Sequence, residues 1–290
     1  MTALQIQFGF FRLTTDAGRL DVARLYDSID KIVGGVPTPS IEHAGSVYVL
    51  TSLSTFEGGF KGDTIRIEMD NLPIVAAKNG SVTPFDLEDD EGIGERAAFC
   101  FFSSGGFLVL EKRRTATSIS RLCELFDELL TACDSYVIAE PLLRRDALER
   151  FAKLSEVRKI EFSFASPTDM EAVSSPKDTV LDSVRKMKDL GANSIGVTIS
   201  AGRSKNGLKP KSRNLISRLL GEGAPQASKI RVSGRTDNKT PDLIDFIEER
   251  ITSKKRVRTT NRRISFETRI KVLRESWEEQ RREIESTYGS

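Results

Sequence analysis

Leu4, Ile6, Phe8 and Phe10 alternate with Gln5, Gln7, Gly9 and Phe11, and this period of two predicts a strand at the start of the chain. The spacing then changes. Leu20, Val22, Leu25, Ile29 and Ile32 recur at steps of three and four, and Gly34-Gly35 closes the run as a helix C-terminus would. Short β-rich runs follow at 47–51 and 64–69. Two more, at 97–102 and 107–111, flank Ser103-Ser104-Gly105-Gly106, which predicts an antiparallel hairpin. Ile119, Leu122, Leu125, Phe126, Leu129 and Leu130 give a strong helical face over 118–133.

The second half opens with a helical pattern at 141–154, followed by a strand at 159–165, in which Ile160, Phe162 and Phe164 alternate with polar residues. A helix at 180–190, stopped by Gly191, a strand at 195–199, a short helix at 215–220 and a strand at 229–232 follow. Leu243, Phe246 and Ile247 sit at helical spacing and predict a helix over 243–251. A last helix over 266–287 carries a narrow stripe of Ile270, Leu273, Trp277 and Ile284, suited to its own domain or to a second copy. The expected fold is a mixed α/β chain of two domains, 1–140 and 141–290, with mostly antiparallel sheets and packed helices.

The 290 residues carry 44 Lys/Arg and 42 Asp/Glu, a balance that suits a folded chain and conceals an asymmetry. Residues 1–200 hold 22 Lys/Arg against 30 Asp/Glu, and residues 201–290 hold 22 against 12. A basic end of this kind points to a polyanionic partner. No run approaches the length of a membrane helix, and the first twenty residues lack a basic or cleavable leader, so a cytoplasmic protein is expected. Three cysteines at non-motif spacing and a single histidine, His43, leave little for zinc, disulfide or Ser/His chemistry. Phosphate-loop, dinucleotide and serine-hydrolase motifs are missing, so no cofactor and no catalytic residue are expected.

Two clusters carry the candidate chemistry. Arg203, Lys205, Lys209, Lys211, Arg213 and Arg218 lie in sixteen residues without an acid, in a glycine-containing loop expected to be flexible. Lys254, Lys255, Arg256, Arg258, Arg262 and Arg263, with Arg269, Lys271 and Arg274 beyond them, face only Glu267. Together they suit phosphate contacts, with Thr259, Thr260 and Asn261 as neutral donors. Six such contacts would cost roughly a thousandfold in affinity between 50 and 200 mM salt. The nearby aromatics, Phe246, Phe266 and Trp277, fall on apolar faces, which disfavours base stacking and favours a duplex held by its backbone.

The bland alternative is a solvated, self-paired surface. A metal-dependent nuclease using Asp89 or Asp90 with Glu111 and Lys112-Arg113 is a second alternative, weighed against exposed strand-end charges at the same positions. An interaction scaffold for an acidic protein or a membrane partner is a third. The acidic first part of the chain is also a candidate competitor for the basic part.

The order of several short motifs resembles the RexA-like family of prophage-encoded phage-exclusion proteins. They are Asp90-Glu91-Gly92-Ile93-Gly94 before a hairpin, Glu140-Pro141-Leu142-Leu143-Arg144 before a helix and strand, Leu190-Gly191-Ala192 before 194–200, the basic loop at 203–213, and 229–235 before a helical tail. The resemblance implies a homodimer that binds double-stranded DNA without sequence preference. It also implies abortive-infection-type defence, commonly beside a membrane effector encoded nearby.

Overall fold

The computed structural model describes residues 3–15, 20–70, 72–84, 86–130, 136–164, 194–204, 206–220, 227–258 and 263–289. The helix expected at 180–190 lies outside them. The mixed α/β reading holds, with mostly antiparallel sheets. Contacts divide the chain into two units that are not consecutive halves: 1–8, 15–137 and 253–277 in the first, and 9–14, 138–252 and 278–290 in the second. This division differs from the expected 1–140 and 141–290 chiefly because residues 253–277 join the first unit. Charge does not separate with the units either. The first holds 20 Lys/Arg against 22 Asp/Glu and the second 24 against 20.

An eight-stranded sheet contains β1 (Ala3–Thr15), β2 (Ser40–His43), β3 (Ser46–Phe56), β4 (Gly59–Glu68), β7 (Ile93–Phe102), β8 (Phe107–Lys112), β9 (Val137–Pro141) and β14 (Thr252–Arg258). Its order is β14-β1-β8-β7-β4-β3-β2, with β9 also paired to β1. A separate ribbon joins β5 (Val75–Ala76) to β6 (Val82–Thr83). Helix α1 (Val22–Val33) begins at Asp21, whose carboxylate accepts from the Arg24 N–H at 3.0 Å, and ends at Gly34. Helix α2 (Ile119–Leu129) is capped by Ser118.

The period of two sorts β7 into two faces. Phe99 and Phe101 point towards the side where Phe60 meets Tyr26 of α1 at 5.6 Å and Phe126 of α2 at 6.1 Å. On the other side Phe102 stacks on Trp277 at 4.3 Å. Trp277 belongs to α5 (Phe266–Tyr288), and Phe107 adds a second ring to it at 5.6 Å.

In the second unit four antiparallel strands run in the order β11-β10-β12-β13. They are β10 (Leu154–Phe164), β11 (Ile195–Ser200), β12 (Ala227–Thr236) and β13 (Pro241–Asp245). Ile160, Phe162, Phe164, Ile230, Val232, Ile244 and Phe246 form its core with α3 (Arg145–Lys153) and α4 (Lys211–Leu220). The helix expected over 243–251 is a strand followed by a turn. Arg231 pairs with Asp245 and Val232 with Ile244, so Ile244 is buried whereas Leu243 is 55% exposed. The turn closes through Asp245, which accepts from the Ile247 N–H at 3.1 Å. Tyr288 closes the unit, accepting from the Leu143 N–H at 2.8 Å and donating to the Leu143 carbonyl at 3.0 Å. No described helix is long and apolar enough to cross a membrane.

Candidate nucleic-acid interface

The two basic clusters fall in different units, 203–218 in the second and 253–274 in the first. The loop after β11 is pinned where it is described, in contrast to the expected flexibility. The Ala201 N–H donates to the Arg158 carbonyl at 2.9 Å and the Leu208 N–H to the Val157 carbonyl at 2.8 Å. Arg158 also donates to the carbonyls of Gly202 and Ser204. Gly207 is required there, because its φ is +65° and a Cβ would lie 2.8 Å from the Val157 carbonyl oxygen. Arg203, Lys209 and Lys211 are exposed and make no ion pair among the described residues.

Arg213 has a structural task instead. It lies over the Phe151 ring at 5.3 Å and donates to the Leu154 carbonyl at the end of α3. Arg218 is half-buried, and Lys205 and Arg262 are outside the described residues.

The second cluster is also sorted by its secondary structure. Residues 252–258 form β14, a strand that the charge run hides from a hydrophobic pattern. Ser253 and Val257 are buried, and the Ser253 hydroxyl donates to Ser276 on α5 at 3.1 Å. Lys255 shares their face by the period of two and is half-buried. Lys254, Arg256 and Arg258 take the opposite face, are exposed, and make no ion pair among the described residues. A strand spaces such alternate side chains about 7 Å apart in a row. Arg263 is exposed as well.

On α5 the positive charges diverge further. Lys271 is exposed, Arg274 lies over the Phe56 ring at 4.9 Å, and Arg269 is only 3% exposed. Arg269 donates to Asp63 at 2.6 Å and to Glu111 at 3.2 Å, and both carboxylates are fully buried. Glu111 also accepts from the Ala98 N–H at 3.2 Å and pairs with Arg113 at 2.8 Å. Burial pushes the Asp63 carboxyl up from its ordinary value, and the Arg269 guanidinium pulls the other way. Glu111 is thus not an exposed strand-end charge, as one sequence reading had it.

Its acidic companion is Asp63, which the sequence reading missed, whereas Asp89 and Asp90 are exposed loop residues. Among the described residues no group of three or more His, Cys, Asp or Glu is placed to hold a metal ion. His43 lines a cleft of about 350 Å³ with Glu42, Ser46, Met69 and Asp70, and makes no side-chain hydrogen bond among the described residues.

The arrangement extends from β4 to α5, and a single family match covers that span, from residue 62 to residue 284. The chain belongs to DUF6731, a family of unknown function. The DUF6731 match therefore takes in the Asp63–Glu111–Arg269 cluster, both basic clusters and residues of both units. No curated protein matches the chain.

Proposed function

We propose that this protein binds double-stranded DNA along its phosphate backbone, without reading sequence, and that a prophage uses it to exclude superinfecting phage. The observation that carries the binding half is the row of Lys254, Arg256 and Arg258 on the open face of β14. Three cations that make no ion pair among the described residues, held in register by a sheet, suit a line of phosphates better than a base edge.

Lysines on an edge strand also discourage sheet-to-sheet pairing, and that alternative explains charge at β14 without a ligand. It does not account for Arg263 and Lys271 in the same unit, which are exposed and make no ion pair among the described residues. Aromatic rings near these charges are already engaged. Trp277 is stacked on Phe102, Phe56 lies under Arg274, and Phe266 lies 6.0 Å from the Lys61 ammonium. With these three rings engaged, a duplex is favoured over single strands. The phage-exclusion half rests on the RexA-like order of motifs.

The test is competition between unlabelled duplex and unlabelled single strand for the protein bound to a labelled random-sequence duplex. The duplex is expected to compete more strongly, and duplexes of different sequence equally. Preference for the single strand, or for one sequence, would overturn the reading.

A further inference from the structure

The ribbon β5–β6 follows β4 in the chain and pairs with no further strand among the described residues, so both of its edges are open to another strand. Its turn is closed. The Ala77 N–H donates to the Ser81 carbonyl and the Gly80 N–H to the Ala77 carbonyl, each at 2.9 Å. Val75 pairs with Thr83 and Ala76 with Val82, which puts Ile74, Ala76 and Val82 on one face. Ile74 and Val82 are both 58% exposed there, and Ala76 is exposed between them. Two strands with an uncovered apolar face are marginal in water, and a third strand is what such a ribbon lacks.

Beyond β6 come Asp86, Glu88, Asp89, Asp90 and Glu91, all exposed and none in an ion pair among the described residues. Asp86 follows Thr83 by three positions, which is at most about 11 Å of chain. A lysine just past the end of a strand laid along β6 is therefore within reach of the acids. An acidic flank repels nucleic acid and anionic lipid, which leaves a basic protein segment as its complement. In this chain the basic strand is β14, which is paired to β1 and carries the row assigned to duplex phosphates. The complement therefore belongs to another protein.

We propose that the β5–β6 ribbon takes up an extended segment of a different protein as a third strand. The segment carries alternate apolar residues for the face of Ile74, Ala76 and Val82, and lysine or arginine at its ends for the acids. Main-chain hydrogen bonds to the ribbon edge supply affinity, and the face and flank supply the choice of segment. The site shares no residue with β14 and is read without nucleic acid, so it stands or falls apart from duplex binding.

The probe is a labelled peptide, Lys-Lys-Val-Thr-Val-Thr-Val-Lys-Lys, whose fluorescence anisotropy is followed as the full chain is added at about 50 mM salt. Three altered peptides accompany it: one with glutamate at the ends, one with serine for each valine, and one with N-methylated backbone at the central residues, which keeps the side chains and removes the ladder donors. On the protein, Ile74→Ser/Val82→Ser tests the face and Glu88→Lys/Asp89→Lys/Asp90→Lys the flank. All five positions are exposed, and Trp277 emission reports that each variant is folded.

The parent peptide is expected to bind, and to bind more weakly as salt rises. Each altered peptide, and each variant, is expected to bind at least about tenfold more weakly. No binding of the parent peptide would overturn the proposal. So would a serine or N-methylated peptide that binds as well as the parent, because charge alone would then explain the contact, or a variant that binds as well as wild type. A dimer that Ile74→Ser/Val82→Ser converts to monomer in light scattering would also overturn it, by assigning the face to a second copy.

Discussion

Arg269 donates to Asp63 at 2.6 Å, joining the first turn of α5 to strand β4 across 206 positions of the chain. The pair is fully shielded, and Glu111 shares the same guanidinium. Such a cluster fixes where α5 begins against the sheet, because an ion pair removed from water has few other satisfactory arrangements.

Replacing Arg269 by Met is expected to destabilise the first unit by about 3 to 5 kcal/mol, since buried Asp63 would lose its closest cation and buried Glu111 would keep only Arg113. Urea unfolding followed at Trp277, the only tryptophan, reads this directly. Adding Asp63→Asn and Glu111→Gln to the same chain is expected to recover part of the loss. No recovery would mean that packing, not charge, anchors the turn.

In the second unit, Asp242 accepts from Arg150 at 2.7 Å and 3.1 Å, and the Arg150 side chain holds its carboxyl below the ordinary value. The unfolded chain therefore takes up the proton first as pH falls. The stabilisation is complete above the ordinary value of 3.8 and is lost as pH falls through the lower, folded value. Asp242→Asn is expected to be less stable than wild type near neutrality, with the difference shrinking in strong acid. Parallel stability curves across that range would refute the assignment.

The strand at 241–245 separates two neighbours that a helix would have treated otherwise. Ile244→Ala is expected to cost about 2 to 4 kcal/mol. Leu243→Ser, at an exposed position, is expected to stay within about 0.5 kcal/mol of wild type by thermal or chemical unfolding. Similar losses at both positions would contradict the register of β12 with β13.

These residues also show what the pattern of the chain makes legible. The alternation at Leu4 to Phe10, the hairpin around Ser103 to Gly106, the face of α2 and the stripe of α5 were all readable, because each element buries one regular face. At 243–247 the spacing of Leu243, Phe246 and Ile247 imitates a helix, but pairing with β12 overrides it and turns Leu243 outwards. Strand β14 was hidden because Lys255 stands between Ser253 and Val257 on its inward face, and Lys254, Arg256 and Arg258 complete what reads as a charge run.

The candidate site was legible only in part. The basic residues are visible as composition, but nothing local distinguishes Arg269, buried against Asp63 and Glu111, from the exposed Lys271 two positions on. Arg213 likewise belonged to an acid-free run, and only the fold shows it committed to Phe151 and Leu154. Which charges remain for a ligand is decided by tertiary partners.

The most direct test of duplex binding at β14 is the anisotropy of a labelled random-sequence duplex, titrated with the protein at several salt concentrations. Lys254→Glu/Arg256→Glu/Arg258→Glu is compared with Lys209→Glu/Lys211→Glu. Wild-type binding is expected to weaken steeply with salt, and the β14 variant to lose about three units of the log–log slope. A wild-type protein that fails to bind at about 50 mM salt, or a β14 variant with an unchanged slope, would contradict the assignment.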